Sequence, residues 1–156
     1  ARAPPLTTDV EPPVLREEAT MDSSYGFGAS LDLPYEAAVL RAKAALQAEG
    51  FGVLTEIDVR ATLRAKLGAE MEPYLILGTC NPHLAQRALA LEPSIGLLLP
   101  CNVVVRAEGA GSRVEIADPR AMLGIVGNER VNDVATEATQ RLERVLGALQ
   151  APAGQG

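Results

Sequence analysis

Hydrophobic and polar positions alternate with two different periods along this chain, and the first half switches between them repeatedly. "YGFGASLDL" has the period of two that is typical of a strand, whereas "YEAAVLRAKAALQAEG" keeps its apolar residues on one side of a helix and ends at Gly50. "FGVLTEID" then predicts a second strand. "VRATLRAKL" predicts a short helix with Asp58 as its N-cap and Gly68 at its end. Its apolar side carries Leu63 and Leu67.

The second half of the chain continues this alternation and adds a hairpin. "PYLILGTC" predicts a third strand, and "NPHLAQRALALEP" predicts a helix with Asn81 as N-cap and Pro82 at the first helical position. "IGLLLPCNVVVRA" is apolar enough to predict a central strand buried on both faces, in which Pro100 marks a bulge, an edge or a break. "VVVRAEGAGSRVEIAD" has the pattern of a β-hairpin with Gly109 and Gly111 in its turn.

The last element has the most regular pattern of the chain. After a short turn of structure in "PRAMLGIVG", Asn128 is placed to cap a long helix. The predicted order is β-α-β-α-β-α-β-β-α, which indicates an α+β two-layer sandwich with helices packed on a mixed or antiparallel sheet of about five strands. The apolar stripe of the last helix has a period of 3.6 residues and consists of Val131, Val134, Ala135, Ala138, Leu142, Val145, Leu146 and Leu149.

The ends of the chain differ from its middle in composition. Residues 1–24 are rich in proline and lack helical or strand periodicity, so we expect a flexible N-terminal arm. The small and polar residues 150–156 predict a disordered tail. Residues 25–149 are then a single α+β domain, long enough to bury a sizeable core.

Charge and hydropathy exclude two classes of partner. The chain has 14 basic and 20 acidic residues and a formal net charge of −6, so it would repel a nucleic-acid backbone. No run approaches the roughly 20 apolar residues that a membrane helix needs. We expect a soluble protein that binds neither nucleic acid nor membrane. The expected compartment is the cytoplasm, or the exterior of the cell if the chain starts after a cleaved leader.

Both cysteines and the only histidine lie close together in the sequence. Cys80 directly precedes a predicted helix, whose dipole would favour its thiolate, and His83 follows in the first turn. If Cys101 approaches from the neighbouring strand, these three donors suit Cu(I), Zn(II) or haem iron. Two alternatives stay open. The cysteines can be small buried hydrophobic residues beside an exposed His83, or a redox pair in which Cys80 is the low-pKa sulfur.

Carboxylates give little support for catalysis. Glu56 and Asp58 alternate along a predicted strand, so both could serve as a general acid and base, but a solvated strand end with a helix cap has the same pattern. A hydrolase or isomerase using Glu56, Asp58 or Asp118 has no supporting nucleophile or histidine nearby in the sequence. The sequence therefore favours a protein that is not an enzyme.

Four motifs, in this order, resemble the family called domain of unknown function 302: "GFGVLTEIDV", "LGTCNP", "LLLPCNVVV" and "DPRAMLGIVGN". The resemblance covers residues 25–149. It implies a compact α+β domain that forms a homodimer and has no accepted catalytic mechanism. Any functional site that the resemblance implies lies at Cys80, Asn81 and Pro82 and at residues 99–102, which include Pro100, Cys101 and Asn102. His83 follows the first of these motifs without belonging to it.

These observations lead to one main hypothesis and one alternative. We expect a small, bacterial-type, non-enzymatic and dimeric module for binding or sensing, with a metal or ligand site near Cys80 and Cys101. The mean hydropathy of +0.10, which is high for a chain of this size, also favours dimerisation. The alternative is a thiol-redox protein that uses the same two cysteines.

Overall fold

The computed structural model describes residues 23–152 of the chain. Residues 1–22 of the predicted arm and residues 153–156 of the predicted tail lie outside this range, whereas Gln150, the first residue of the predicted tail, is the last residue of a helix. The elements found in it are the strands β1 (Gly26–Leu31), β2 (Gly52–Asp58), β3 (Tyr74–Cys80), β4 (Cys101–Glu108) and β5 (Gly111–Ala117), the α-helices α1 (Tyr35–Ala48), α2 (Val59–Leu67), α3 (Pro82–Leu91), α4 (Pro119–Leu123) and α5 (Glu129–Gln150), and the 3₁₀ helices Pro93–Leu98 and Gly124–Val126.

The five strands form one sheet in the order β1-β5-β4-β3-β2, and every neighbouring pair is antiparallel. The predicted α+β architecture is therefore confirmed, and of the two predicted sheet types the antiparallel one is correct. β1 and β2 run in the same direction, but α1 carries the chain from one edge of the sheet to the other between them. No parallel strands become neighbours as a result.

The core lies between the sheet and a layer formed mainly by α1 and α5. Both helices contact the sheet and each other, and α3 and α4 pack against α5. The predicted stripe of α5 is buried along its whole length. On the other face of the sheet, Arg106 forms a 3.0 Å ion pair with Glu115. The strand residues that face the helices are fully or almost fully buried and include Leu75, Leu77, Val103, Val105, Val114 and Ile116.

Local signals in the sequence correctly located the ends of most helices. The side chain of Asp58 accepts a hydrogen bond from the backbone N–H of Ala61, and Gly68 ends α2 with a φ of 64°. Asn128 likewise accepts a hydrogen bond from the backbone N–H of Arg130 at the start of α5. These are the N-cap and left-handed C-terminal geometries that the residue types favour.

Two expectations about apolar residues were wrong. The stretch "IGLLLPCNVVVRA" is not one strand, because residues 93–98 form a 3₁₀ helix and β4 begins only at Cys101, after the cis peptide bond between Leu99 and Pro100. β4 is the central strand, as predicted, but it is not buried on both faces: Val103 and Val105 on its helix-facing side are buried, whereas Asn102 is exposed. In α2, the predicted apolar residue Leu67 is 75% exposed and is therefore not part of the core.

Among the helices of residues 23–152, none is both long and apolar enough to cross a membrane.

Candidate functional site

The ends of three strands place the two cysteine-containing motifs at one end of the sheet. β3 ends at Cys80, β4 begins at Cys101, and β5 ends one residue before Asp118. Thr79 pairs with Cys101 in the register of β3 and β4. We call this region the cysteine end of the sheet.

Asn81 has a structural role at the cysteine end, and Pro82 follows it as the first residue of α3. The side-chain oxygen of Asn81 accepts a hydrogen bond from the backbone N–H of Leu84, and its Nδ2 donates to the backbone oxygen of Glu49 at 3.5 Å. Gly50 has a φ of 84°, and a Cβ at this position would lie 2.9 Å from Asn81 Nδ2. Asn81 therefore caps α3 and holds the end of α1 close to it, which explains why glycine is needed at position 50.

The strand register separates the two sulfur atoms. Thr79 is fully buried, and its hydroxyl donates a 2.9 Å hydrogen bond to the backbone oxygen of Cys101. Paired residues share a face of the sheet and successive residues alternate, so Cys101 points towards the helices while Cys80 points the other way. Both cysteines are free and they are not close to each other. The structure does not support the expected cysteine pair.

Neither thiol has the lowered pKa that a redox function would favour. Burial raises the pKa of Cys80, so the expectation of a low-pKa thiolate at this position was wrong. The reason is that Asn81, rather than Cys80, caps α3, and the Cys80 side chain leaves from the end of a strand. Burial, with a smaller contribution from Cys80, raises the pKa of Cys101 to about 11. Both thiols are therefore protonated at neutral pH, which does not favour the thiol-redox alternative.

The predicted three-donor metal site is not assembled. His83 is exposed in the first turn of α3, whereas Cys101 is largely buried on the helix-facing side of the sheet. Within residues 23–152, no group of three or more His, Cys, Asp or Glu side chains is positioned to hold a metal ion. Cys80, His83 and Cys101 thus remain three separate groups.

The carboxylates considered for acid–base catalysis have structural partners. Glu56 forms an ion pair with Lys43, and Asp58 caps α2. Asp118 is 4% exposed; its Oδ1 accepts hydrogen bonds from the backbone N–H of Arg120 at 2.9 Å and from the hydroxyl of Thr139 at 3.3 Å. Each carboxylate therefore stabilises a different part of the fold, and the three do not form a common site.

An apolar cleft opens at the cysteine end between the sheet and the helices α3, α4 and α5. Its interior volume is about 40 Å³, or about 410 Å³ when its open mouth is included. The polar side chains in its lining already have partners, since Thr79 bonds to the backbone of Cys101 and Asn81 caps α3. We call it the Cys101 cleft, and the residues that define it are Phe51, Leu84, Ala88, Cys101, Leu123 and Ala138.

A second apolar cavity adjoins the Cys101 cleft on the side of the short helix α4. Its interior volume is about 30 Å³. It extends towards Leu98, Asn102 and Met122. The two cavities share four lining residues, namely Pro100, Cys101, Pro119 and Leu123.

Sequence reasoning identified the cysteine end but missed most of the lining of the cleft. Leu84, Val134 and Ala138 follow ordinary helical periodicity, so the sequence offers no signal that separates them from the rest of the core. The one available signal was the motif "DPRAMLGIVGN", which contains Pro119 and Leu123. Of the motif residues proposed for a site, Pro100 and Asn102 are exposed and line one or both cavities.

The raised pKa of Cys101 predicts a pH-dependent loss of stability. The folded chain holds this proton up to about pH 11, whereas the unfolded chain releases it near the usual value of about 8.5. The stabilisation is therefore complete below about pH 8.5 and is lost as the pH rises through about 11. Urea unfolding at several pH values measures this loss. Between about pH 8.5 and about pH 11, the free energy of unfolding of the wild type should fall by up to about 3 kcal/mol more than that of Cys101→Ala. Equal losses in the two proteins would contradict the burial of the Cys101 thiol.

Comparison with known proteins agrees with this architecture. The family model for Domain of unknown function DUF302 matches residues 27–149. A solved structure, the crystal structure of an uncharacterized conserved DUF302 protein from Bacillus stearothermophilus, is similar to this chain with a TM-score of 0.76 and 26% sequence identity. The match covers 81% of this chain and 99% of that one. A search of curated proteins gave no match. By its sequence match and its fold, the chain belongs to the Domain of unknown function DUF302 family.

Proposed function

We propose that this protein is a non-enzymatic, dimeric binding or sensing module whose ligand occupies the Cys101 cleft. The observation that carries the proposal is the cleft itself: an apolar opening into the core, placed at the two motifs that contain the cysteines. Protein interiors are normally packed without such space. A concave apolar opening of this kind is the usual form of a site for a small molecule.

The chemistry of the lining indicates how a ligand would be held. Thr79 and Asn81 already have hydrogen-bond partners, and the remaining residues that line the cleft are apolar residues and the two cysteines, of which Cys101 points towards the helices. Cys101 is protonated at neutral pH because burial raises its pKa to about 11. A ligand would therefore be bound mainly by the removal of apolar surface from water. At Cys101, the ligand would contact a neutral S–H group.

An organic ligand fits this site better than a metal ion or haem. A soft metal ion would need several sulfur or nitrogen donors on the same face of the sheet. The strand register directs Cys80 and Cys101 to opposite faces, and His83 does not line the cleft. Catalysis is likewise not favoured, because the carboxylates Glu56, Asp58 and Asp118 stabilise separate parts of the fold.

Strand β2 is the surface best suited to a second copy of the chain. Among the described strands it pairs only with β3, so its outer edge offers unpaired backbone groups. Leu54 on this strand is 65% exposed and Ile57 is 48% exposed. An exposed strand with apolar side chains is prone to pair with another strand, and two copies of β2 related by a twofold axis would pair antiparallel. The ion pair between Glu56 and Lys43 would reduce repulsion across such an interface.

The binding proposal predicts that narrowing the mouth of the cleft abolishes uptake of its ligand. Ala85 is half-buried in α3 and lines the cleft, whereas Ala90 is exposed on the same helix. The test is equilibrium dialysis of the purified protein against an extract of small apolar metabolites, followed by mass spectrometry. The wild type and the matched control Ala90→Leu should concentrate the same compound, and Ala85→Leu should concentrate it at least tenfold less. If no compound is concentrated, or if Ala85→Leu concentrates it equally, the cleft is not the binding site.

The dimer proposal predicts a mass of twice the 16.4 kDa chain in solution. Light scattering at micromolar concentration would measure it. Ile57→Lys introduces a charge on β2 and should give the monomer mass. Ile125→Lys, at a position that is 74% exposed outside the sheet, should leave the dimer intact. A wild-type mass of 16.4 kDa would refute the proposal.

A further inference from the structure

The Cys101 cleft and the second cavity are separated by side chains that line both of them, which we call the partition. Pro100, Cys101, Pro119 and Leu123 contribute to both linings, so the same few side chains separate the two spaces. From the geometry of this partition we infer that the two cavities join on ligand binding into one bent chamber, which takes an unbranched aliphatic chain with an uncharged head group. This inference rests on the proposed function and specifies the class of its ligand.

The sizes of the two cavities limit the shape of the ligand. About 10–15 Å³ of this kind of volume corresponds to one water-sized sphere. The interior volumes of about 40 Å³ and 30 Å³ therefore hold about three and about two such spheres, respectively. Neither cavity alone would enclose an aromatic ring, since an engineered cavity that binds benzene has a volume of about 150 Å³. The summed volume of the two cavities therefore matches a narrow chain of about five or six heavy atoms that extends from one cavity into the other.

The linings limit the charge and the orientation of the ligand. Neither lining contains a lysine, arginine, aspartate or glutamate, so a charged group inside would have no compensating partner. Asn102 lines the second cavity and is exposed, which places a neutral polar side chain at the rim of that space. A small uncharged head group would lie there. The aliphatic chain would then pass Cys101 and end among Ala88, Val134 and Ala138.

The shared partition is formed by short elements. α4 has only five residues, and the segment before Cys101 leaves a 3₁₀ helix at Leu98 and enters β4 three residues later. Short connecting segments of this kind open locally at a lower free energy than the long elements of a core. A displacement of the Leu123 or Pro100 side chain would join the two cavities without breaking a pairing of the sheet.

The test uses the series of primary alcohols from 1-propanol to 1-octanol as probes of the full-length protein. Binding is followed by the shifts of the methyl signals of Ala138 in the Cys101 cleft and of Met122 in the second cavity. The dissociation constant should fall about fourfold for each added methylene up to 1-hexanol and then level off. 1-Hexanol should shift both methyl signals and 1-propanol only one of them. The branched isomer 2-methyl-2-pentanol and the hexanoate anion should bind at least tenfold more weakly than 1-hexanol.

Variants at the partition separate this inference from the proposed function. Cys101→Leu should narrow the passage and reduce the affinity for 1-hexanol to that for 1-propanol, while Cys101→Ala should strengthen the binding of 1-hexanol. Ala90→Leu is the control and should leave the affinity for 1-hexanol unchanged, because Ala90 is exposed and lines neither cavity. If affinity levels off at 1-propanol, or if 1-hexanol shifts only one methyl signal, the joined chamber is refuted and the proposed function survives. If no alcohol shifts either signal while the metabolite dialysis succeeds, the ligand class is refuted. Failure of the dialysis, in contrast, refutes the proposed binding function.

Discussion

The pairing of Thr79 with Cys101 is the constraint on which the cysteine end of the structure depends. This register directs Cys101 towards the helices and Cys80 away from them, because side chains alternate along a strand. The buried hydroxyl of Thr79 holds the start of β4 by its hydrogen bond to the backbone oxygen of Cys101. A shift of one residue would exchange the faces of all side chains on β4 and would place Asn102 in the core. The same pairing therefore determines the core, the separation of the thiols and the position of the Cys101 cleft.

The cleft exists because several elements end where this pairing begins. β3 stops at Cys80, α3 turns away under the cap of Asn81, and the chain before Cys101 follows a 3₁₀ helix instead of extending β4. Asn81 also bonds to the end of α1 beside Gly50, which fixes the positions of two helices relative to each other. Small residues of α3 and α5 then face this corner and leave space between them, notably Ala88 and Ala138. The cysteine-containing motifs are thus explained mainly by structural roles, and the space that they surround is where a function is best sought.

Local features of the structure could be predicted from the sequence, and features that depend on register could not. Asp58, Asn81 and Asn128 are caps because their side chains bond to nearby backbone groups, and such contacts involve residues two or three positions apart. The strand order and the orientation of Cys80 depend on pairings between distant segments, for which a single sequence carries no direct signal. The apolar run before Pro100 was taken for a strand because a short buried helix and a buried strand have similar composition. The cleft was missed for the same reason, since its lining has the composition of any core.

The central claim is that the apolar space at the cysteine end is a binding site. The most direct measurement is the crystal structure of the protein under xenon pressure, because xenon enters apolar cavities without requiring polar partners. The account predicts xenon in the Cys101 cleft, in contact with Leu84, Ala138 and the sulfur of Cys101. A structure in which side chains fill this space, or in which xenon binds only elsewhere, would contradict it.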